Sequence, residues 1–326
     1  MPVRNEALWI THSVSSVLRQ DYPPECMEII VADGLSDDNT VDLIRCLPEA
    51  YRVRIISNSR KIQAAGMNDA IQCARGDVIV RVDGHTVIAP SYVRTCVETL
   101  RRTQADNVGG AIHFTGNTSM GRAIAIASRS SFAVPTVFRV STNPQYADTV
   151  YMGAWPHQIF ERLGLFDERF VVNEDYEFNF RIRKGGGRIY FTPEICSEYY
   201  GQQTLTGVAR QYFRYGSSKP KTLLKHPRSV QARHLVAPIL VVFVLMGALV
   251  RQIVPLVNAL WMLGIISYLL ANIGFSLYSG RRMGFMVLMR VPSVFLIIHA
   301  AWGSGFWFGV VRLLMHGLDT NSASQS

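Results

Sequence analysis

The chain has 326 residues and carries 33 Lys+Arg against 24 Asp+Glu, a formal charge of +9, yet only 17% of its residues are charged and 48% are hydrophobic. That length holds one α/β domain of ordinary size plus an appendage. The basic excess comes without a Lys/Arg run interleaved with aromatics, so no nucleic-acid partner is expected, and the hydrophobic balance points to membranes. Five cysteines, Cys26, Cys46, Cys73, Cys96 and Cys196, are odd in number, widely spread and free of CxxC pairs. They argue against a disulfide framework or zinc site and suit a reducing cytoplasm. Met1-Pro2-Val3-Arg4-Asn5-Glu6 has no apolar core, so no secretory signal is expected at this end.

In chain order, residues 7–19 suit a helix and Met27–Ala32 form an apolar run ending at Asp33. Residues 40–47 suit a helix, Val53–Ser57 a strand, and residues 62–74 a helix. Val78–Val82, bounded by Gly76 and Gly84, reads as a buried strand, and a helix follows from about Pro90 to Thr103. This β-α-β alternation predicts an α/β domain with a mainly parallel sheet covered by helices, and it sets Asp33 and Asp83 at strand ends along one carboxyl edge.

Three polar clusters carry chemistry. Asp83 and His85, one residue apart beyond a strand, can both reach a divalent ion, which would neutralise a diphosphate; equally, an Asp there can be a turn residue and the His a packing one. In Asp33-Gly34-Leu35-Ser36-Asp37-Asp38-Asn39-Thr40, Ser36 or Asp38 can cap the next helix, while the Asp33 carboxylate can accept the ring N–H of a uracil or guanine base. Arg60 and Asn68 can meet phosphate or ribose, or serve as ordinary surface and helix polarity. Farther on, Asn173 reads as an N-cap with Glu174 and Asp175 in the first helical turn. Two acids there complement the helix dipole. A carboxylate held at the mouth of a helix packed through Tyr176, Phe178 and Phe180 also suits a general base for a sugar hydroxyl.

Taken together, these stretches resemble the family 2 glycosyltransferases of GT-A fold. Pro2-Val3-Arg4-Asn5-Glu6 looks like the family's opening motif, which brings Asn5 and Glu6 to the donor site. Asp33 to Thr40 looks like its nucleotide-binding turn, and Ala64-Ala65-Gly66-Met67-Asn68 like the helix leading to the metal strand. Val82-Asp83-Gly84-His85 stands where the metal-binding DxD motif belongs, and Asn173-Glu174-Asp175-Tyr176 resembles the motif holding the catalytic base. Gln211-Tyr212-Phe213-Arg214-Tyr215 is similar to the QxxRW motif of polymer synthases, with Tyr215 for Trp, and offers Arg214 to the donor. The resemblance covers roughly the first 220 residues and is nearest to bacterial succinoglycan-type enzymes with a membrane-embedded tail. It departs at the start, where the usual first strand is missing before the motif, and at the metal motif, which ends in His85.

Beyond Pro220 the character changes. Leu235–Val250, Ile253–Tyr278 and Val291–Val311 are 16, 26 and 21 residues without a charge. A span needs roughly 20, so the last two fit and the first is borderline, a span or a helix lying in the interface. The expected organisation is a catalytic domain at 1–220, a basic linker at 221–234, a membrane region with about three helices at 235–312 and a polar tail at 313–326, disordered after Leu318. Lys219, Lys221, Lys225, Arg228 and Arg233 precede the first span, Arg281, Arg282 and Arg290 the third, and Arg251 lies between the first two. This bias puts the catalytic domain on the cytoplasmic side of a bacterial inner membrane and the tail, with Asp319, outside.

The resemblance implies an inverting sugar transfer from a nucleotide-diphosphate sugar to a lipid-linked glycan, beside other polysaccharide assembly proteins. Asp33 would hold the base, and Asp83 with His85 would hold Mn²⁺ or Mg²⁺ on the diphosphate. Asp175, with Glu174, would take the acceptor's proton. Alternatives are a polyprenyl-phosphate sugar transferase of the same fold and a non-catalytic scaffold of a polysaccharide assembly complex.

Overall fold

The computed structural model describes residues 1–250 and 255–322, in two compact units; Arg251, the charge read between the first two apolar runs, lies outside the described residues. The first unit comprises Met1–Thr115 and Thr136–Gly201, and the second comprises Gly116–Pro135 and the chain from Gln202. Residues 116–135 and 202–220, read from the sequence within a 1–220 domain, thus pack in the second unit.

In the first unit, β1 (Pro2–Val3), β2 (Ile29–Asp33) and β3 (Val53–Ser57) form a parallel sheet in that order, linked by α1 (Ile10–Leu18) and α2 (Thr40–Arg45). All five β2 residues are buried, as expected of the central strand of a covered parallel sheet. The first strand expected to be missing is present in short form: Pro2 and Val3 pair with Ala32 and Asp33, and Met1 O accepts from Ala32 N at 2.8 Å. Next come α3 (Gln63–Cys73), β4 (Val78–Val80), β5 (Thr86–Ile88), α4 (Tyr92–Thr103) and β6 (Asn107–Thr115). Pro90 lies two residues before α4.

After α5 (Ser119–Ser128), which packs in the second unit, the chain returns with α6 (Val137–Val140), β7 (Gln145–Tyr146), β8 (Tyr151–Pro156), α7 (Gln158–Leu163), α8 (Glu174–Lys184) and β9 (Ile189–Tyr200). A second sheet orders β4-β8-β6-β9-β5, with β7 also on β9, and only its β6–β9 pair is parallel. Trp155, Phe160, Phe166 and Phe178 pack in one cluster, with ring centroids of Phe166 and Phe178 4.7 Å apart. Such aromatic packing fixes the angle at which α8 presents its first turn.

The second unit holds α5, α9 (Leu205–Lys225), α10 (Ala232–Val250), α11 (Pro255–Gly280), α12 (Phe285–Leu288) and α13 (Val291–Ser322). Thr118 and Thr204 cap α5 and α9, their hydroxyls accepting from Gly121 N at 2.9 Å and Gly207 N at 3.1 Å. Ala232–Val250, Pro255–Gly280 and Phe285–Met315 are long and apolar enough to cross a membrane, with mean hydropathies of 2.2, 1.8 and 1.7. α13 is described as far as Ser322.

Candidate active site

The loop after β1 joins the other site segments. Asn5 adopts a left-handed backbone, φ 56°, and its amide donates to Ser36 Oγ at 2.9 Å while its Oδ1 accepts from Asp37 N at 3.0 Å. Glu6 N donates to Thr40 Oγ1 at 2.8 Å and Ala7 N to Asp38 Oδ2 at 3.0 Å. The opening motif is therefore laced onto the 33–40 turn. Within that turn the buried Asp33 carboxylate accepts from Ser36 Oγ at 2.6 Å, and Asp38, not Ser36, serves the start of α2 by accepting from Thr40 N at 3.0 Å.

Glu6 also reaches the segment after β4. Its Oε1 lies 2.9 Å from His85 Nδ1, and Gly84 lies so close that a Cβ there would be 2.8 Å from Glu6 Cγ. Ser13 Oγ on α1 donates to Asp83 O at 3.0 Å. Asp33 and Asp83, in different sheet segments, are thus both tied to the residues that follow β1.

Arg81 is the residue that sequence reasoning missed. It is 5% exposed, and Nε donates to Asp83 Oδ1 at 2.8 Å, Nη2 to Asp83 Oδ2 at 3.3 Å and Nη1 to Glu174 Oε1 at 3.3 Å. One planar guanidinium therefore fixes the spacing of two buried carboxylates. A signal was available: an arginine inside the Val78–Val82 run, where an unpaired charge could not be buried. Burial pushes the Asp83 pKa up, but the Arg81 charge and hydrogen bond outweigh it and leave it below the usual carboxylate value. Burial pulls His85 down, and the hydrogen bond and charge of Glu6, with the charge of Asp83, more than reverse this.

On α8, Asn173 occupies the N-cap position in a left-handed conformation, φ 68°, without the side-chain cap bond expected of it. Glu174 is 4% exposed, and its pKa is raised to about 7, chiefly by burial and then by the charge of Asp175, with Arg81 opposing both. Asp175 is half-buried and its Oδ1 accepts from Tyr176 N at 2.6 Å. The more accessible of the two acids is Asp175.

Two expected donor contacts are used elsewhere. Asn68 is buried: Oδ1 accepts from Phe166 N at 2.9 Å, and Nδ2 donates to Phe166 O and Glu168 Oε1, each at 2.9 Å. Arg60 pairs with Asp69 and, at 2.7 Å, with Glu168. Both residues hold the 166–168 loop, Asn68 of α3 through the Phe166 backbone and Arg60 through the Glu168 carboxylate. Arg214 is exposed on α9, in the second unit.

The donor set fits a divalent ion. Asp83 is an oriented anion, and with Nδ1 turned to Glu6, His85 keeps Nε2 for coordination, the usual carboxylate–histidine arrangement. Among the described residues no three His, Cys, Asp or Glu side chains surround one point, so a ligand's own oxygens would complete the shell.

The α/β unit that carries these acids has the GT-A fold. Residues 1–162 match Glycosyl transferase family 2, so the chain carries a glycosyltransferase domain of that family. It is 29% identical over 313 residues to succinoglycan biosynthesis protein ExoA of Rhizobium meliloti (strain 1021), covering 94% of this chain and 92% of that one. It is 26% identical over 228 residues to the dolichyl N-acetyl-alpha-D-glucosaminyl phosphate 3-beta-D-2,3-diacetamido-2,3-dideoxy-beta-D-glucuronosyltransferase of Methanococcus voltae, covering 67% and 71%. The mannosyltransferase PcManGT from Pyrobaculum calidifontis, solved with GDP-Man and Mn²⁺, shares the fold at a TM-score of 0.64 and 18% identity, covering 94% of this chain and 85% of that one.

Proposed function

We propose that this glycosyltransferase moves a sugar from a nucleotide diphosphate, a UDP-sugar, to a lipid-linked glycan at the cytoplasmic face of a bacterial inner membrane, with inversion, in exopolysaccharide or related surface-polysaccharide synthesis. The observation that carries it is the Arg81 bridge between Asp83 and Glu174, which couples a diphosphate-binding carboxylate to the acid pair that serves the acceptor. The functions of the R. meliloti and M. voltae relatives, succinoglycan biosynthesis and transfer to a sugar on a dolichyl phosphate, support the acceptor class.

Asp33, at the end of β2, accepts the ring N–H of the base, while Ser36 holds its carboxylate in place. Asp83 and His85 would hold Mn²⁺ or Mg²⁺, which when bound supplies positive charge to the departing diphosphate. Arg81 keeps Asp83 ionised and oriented, and Glu6 orients the His85 ring. Asp175 takes the proton of the acceptor hydroxyl as that oxygen attacks the anomeric carbon opposite the leaving diphosphate.

The test uses membranes containing the full chain and radiolabelled UDP- and GDP-sugars, with product analysis of the lipid fraction. Label should pass from a UDP-sugar to a lipid-linked glycan, EDTA should stop it, and Asp175→Asn should lower the rate roughly 10²–10⁴-fold, the usual contribution of a general base. Near wild-type transfer by Asp175→Asn would remove the base role, and label on a bare polyprenyl phosphate would replace the acceptor class.

A further inference from the structure

The second unit contains a second message, about how the chain meets the bilayer. α10 and α11 pair as an antiparallel hairpin closed near residues 250 and 255: Trp261 Nε1 donates to Val244 O at 3.3 Å, and a Cβ on Gly264 would lie 2.4 Å from Phe243 Cζ. These pairs put Tyr268 level with about residue 238 and Asn272 level with about residue 234, on the 1.5 Å rise common to both helices.

The polar and close contacts of α13 with this hairpin lie towards its open end. Pro292 O accepts from Asn272 Nδ2 at 3.1 Å, His299 Nδ1 lies 3.0 Å from Tyr268 Oη, Trp302 Nε1 donates to His234 O at 3.5 Å, and Trp307 Nε1 donates to Pro238 O at 3.0 Å. Residues 292 to 307 cover 15 steps, about 22 Å of helix, and their contacts with the hairpin lie between the levels of residues 234 and 241, where a Cβ on Gly303 would be 2.6 Å from Val241 Cγ2, about 10 Å of its length. A helix descending beside the hairpin would have advanced equally along both. α13 runs across the open end.

α9 lies along α13 and in the same direction. A Cβ on Gly216 would be 2.2 Å from Trp302 O, one on Gly305 2.3 Å from Phe213 O, and one on Gly309 2.3 Å from Ser217 O. Close packing of this kind needs glycine at each crossing. One flank of α9 carries Arg210, Arg214, Lys221 and Lys225, all within an arc of about 60° at 100° per residue, beside the Phe213–Ser217 line that meets α13. α13 exposes Trp307, Phe308, Val311, Leu314 and Met315 on one face. The pair is therefore cationic on one helix and apolar on the other. If α13 crossed the bilayer, it would carry the α9 cations to hydrocarbon depth, where lipid-facing charge is costly.

We propose that only α10 and α11 cross the membrane, and that α9 and α13 lie together in the interface on the side where α10 begins, cations towards anionic headgroups and the Trp307–Met315 face towards the acyl chains. Arg228, Arg233, Arg281, Arg282 and Arg290 then share that side with the α9 cations. The chain crosses twice, and α13 lies on the side where α10 begins. This replaces the three crossings that length and composition alone would give.

The experiment places one epitope tag after the exposed Gly186 of the full chain and another after Ser326, and exposes sealed right-side-out and inside-out vesicles to protease. Two crossings require both tags to be cut in the same vesicle orientation. Cutting in opposite orientations would overturn the proposal. The orientation in which the Gly186 tag is cut reports separately on the cytoplasmic placement of the catalytic unit, so either reading can fail without the other. A variant with each α9 cation Arg210, Arg214, Lys221 and Lys225 changed to Gln should keep both tags on one side but lose the salt-sensitive part of its contact with anionic vesicles, measured by protection of the α9 backbone from hydrogen exchange. Protection equal in anionic and neutral vesicles for the unmodified chain would refute the headgroup contact.

Discussion

Replacing Glu174 by Gln removes a carboxyl that folding makes harder to ionise. Its pKa rises from 4.5 to about 7, mainly through burial. Below pH 4.5 the group is protonated in folded and unfolded chains alike, and its full relative benefit to the fold is present. Between 4.5 and about 7 the unfolded chain releases a proton that the folded chain retains, so stability falls as pH rises and the loss is complete above the folded value. At about 1.4 kcal/mol per pH unit, the loss amounts to about 3 kcal/mol, undiminished by solvent because the side chain is buried. Gln stays neutral throughout and escapes it. For a unit of this size each kcal/mol moves the midpoint by roughly 2–4 °C, so the advantage of Glu174→Gln over the parent should grow by roughly 6–12 °C between pH 4 and pH 8. Thermal unfolding of the detergent-solubilised full chain, followed by circular dichroism at both pH values, measures it. A difference between variant and parent that stays constant with pH would refute the reasoning.

Arg81→Gln leaves Asp83 and Glu174 buried without their shared cation, which should cost about 3–5 kcal/mol; the vacated charge also makes room for a divalent one, so Mn²⁺ should stabilise the variant more than the parent while transfer slows. Equal Mn²⁺ stabilisation in thermal melts would remove the electrostatic part of that argument. Asn68→Ala should cost about 1–3 kcal/mol by orphaning Phe166 backbone groups, with nucleotide affinity by calorimetry unchanged, since the amide is spent on the 166–168 loop. Phe178→Ala, at a side chain with 0% exposure inside the aromatic cluster, should cost about 3–5 kcal/mol in the same melts and lower kcat as α8 loses its seat.

The sequence made the elements of the first unit legible where periodicity and glycine punctuation agree: Val53–Ser57 is β3 with the same limits, and α3 begins and ends within one residue of the expected helix. It was least informative about Asn68, because an asparagine in a helix looks the same whether it faces a ligand or staples a loop 98 residues away. The same holds for the pairing of β4 with β8, whose antiparallel register joins segments about 76 residues apart and has no local signature. Asn173 looked like a cap because composition favours Asn there, but its left-handed backbone uses another property of the residue, its tolerance of positive φ.

Length and hydropathy read α13 as one more crossing because they score a helix alone, whereas the cost of burying it in lipid depends on what is packed against it. Most of α9 was read as part of the catalytic domain, with Arg214 offered to the donor, and its Lys221 and Lys225 as part of a linker preceding the first span. Once Gly216, Gly305 and Gly309 bring the two helices together, those cations become a property of α13 as well. The same logic governs Arg81, a charge that seems foreign to its strand until Asp83 and Glu174 are seen on either side of it. In both places a residue's cost in isolation marks the partner that the fold must supply.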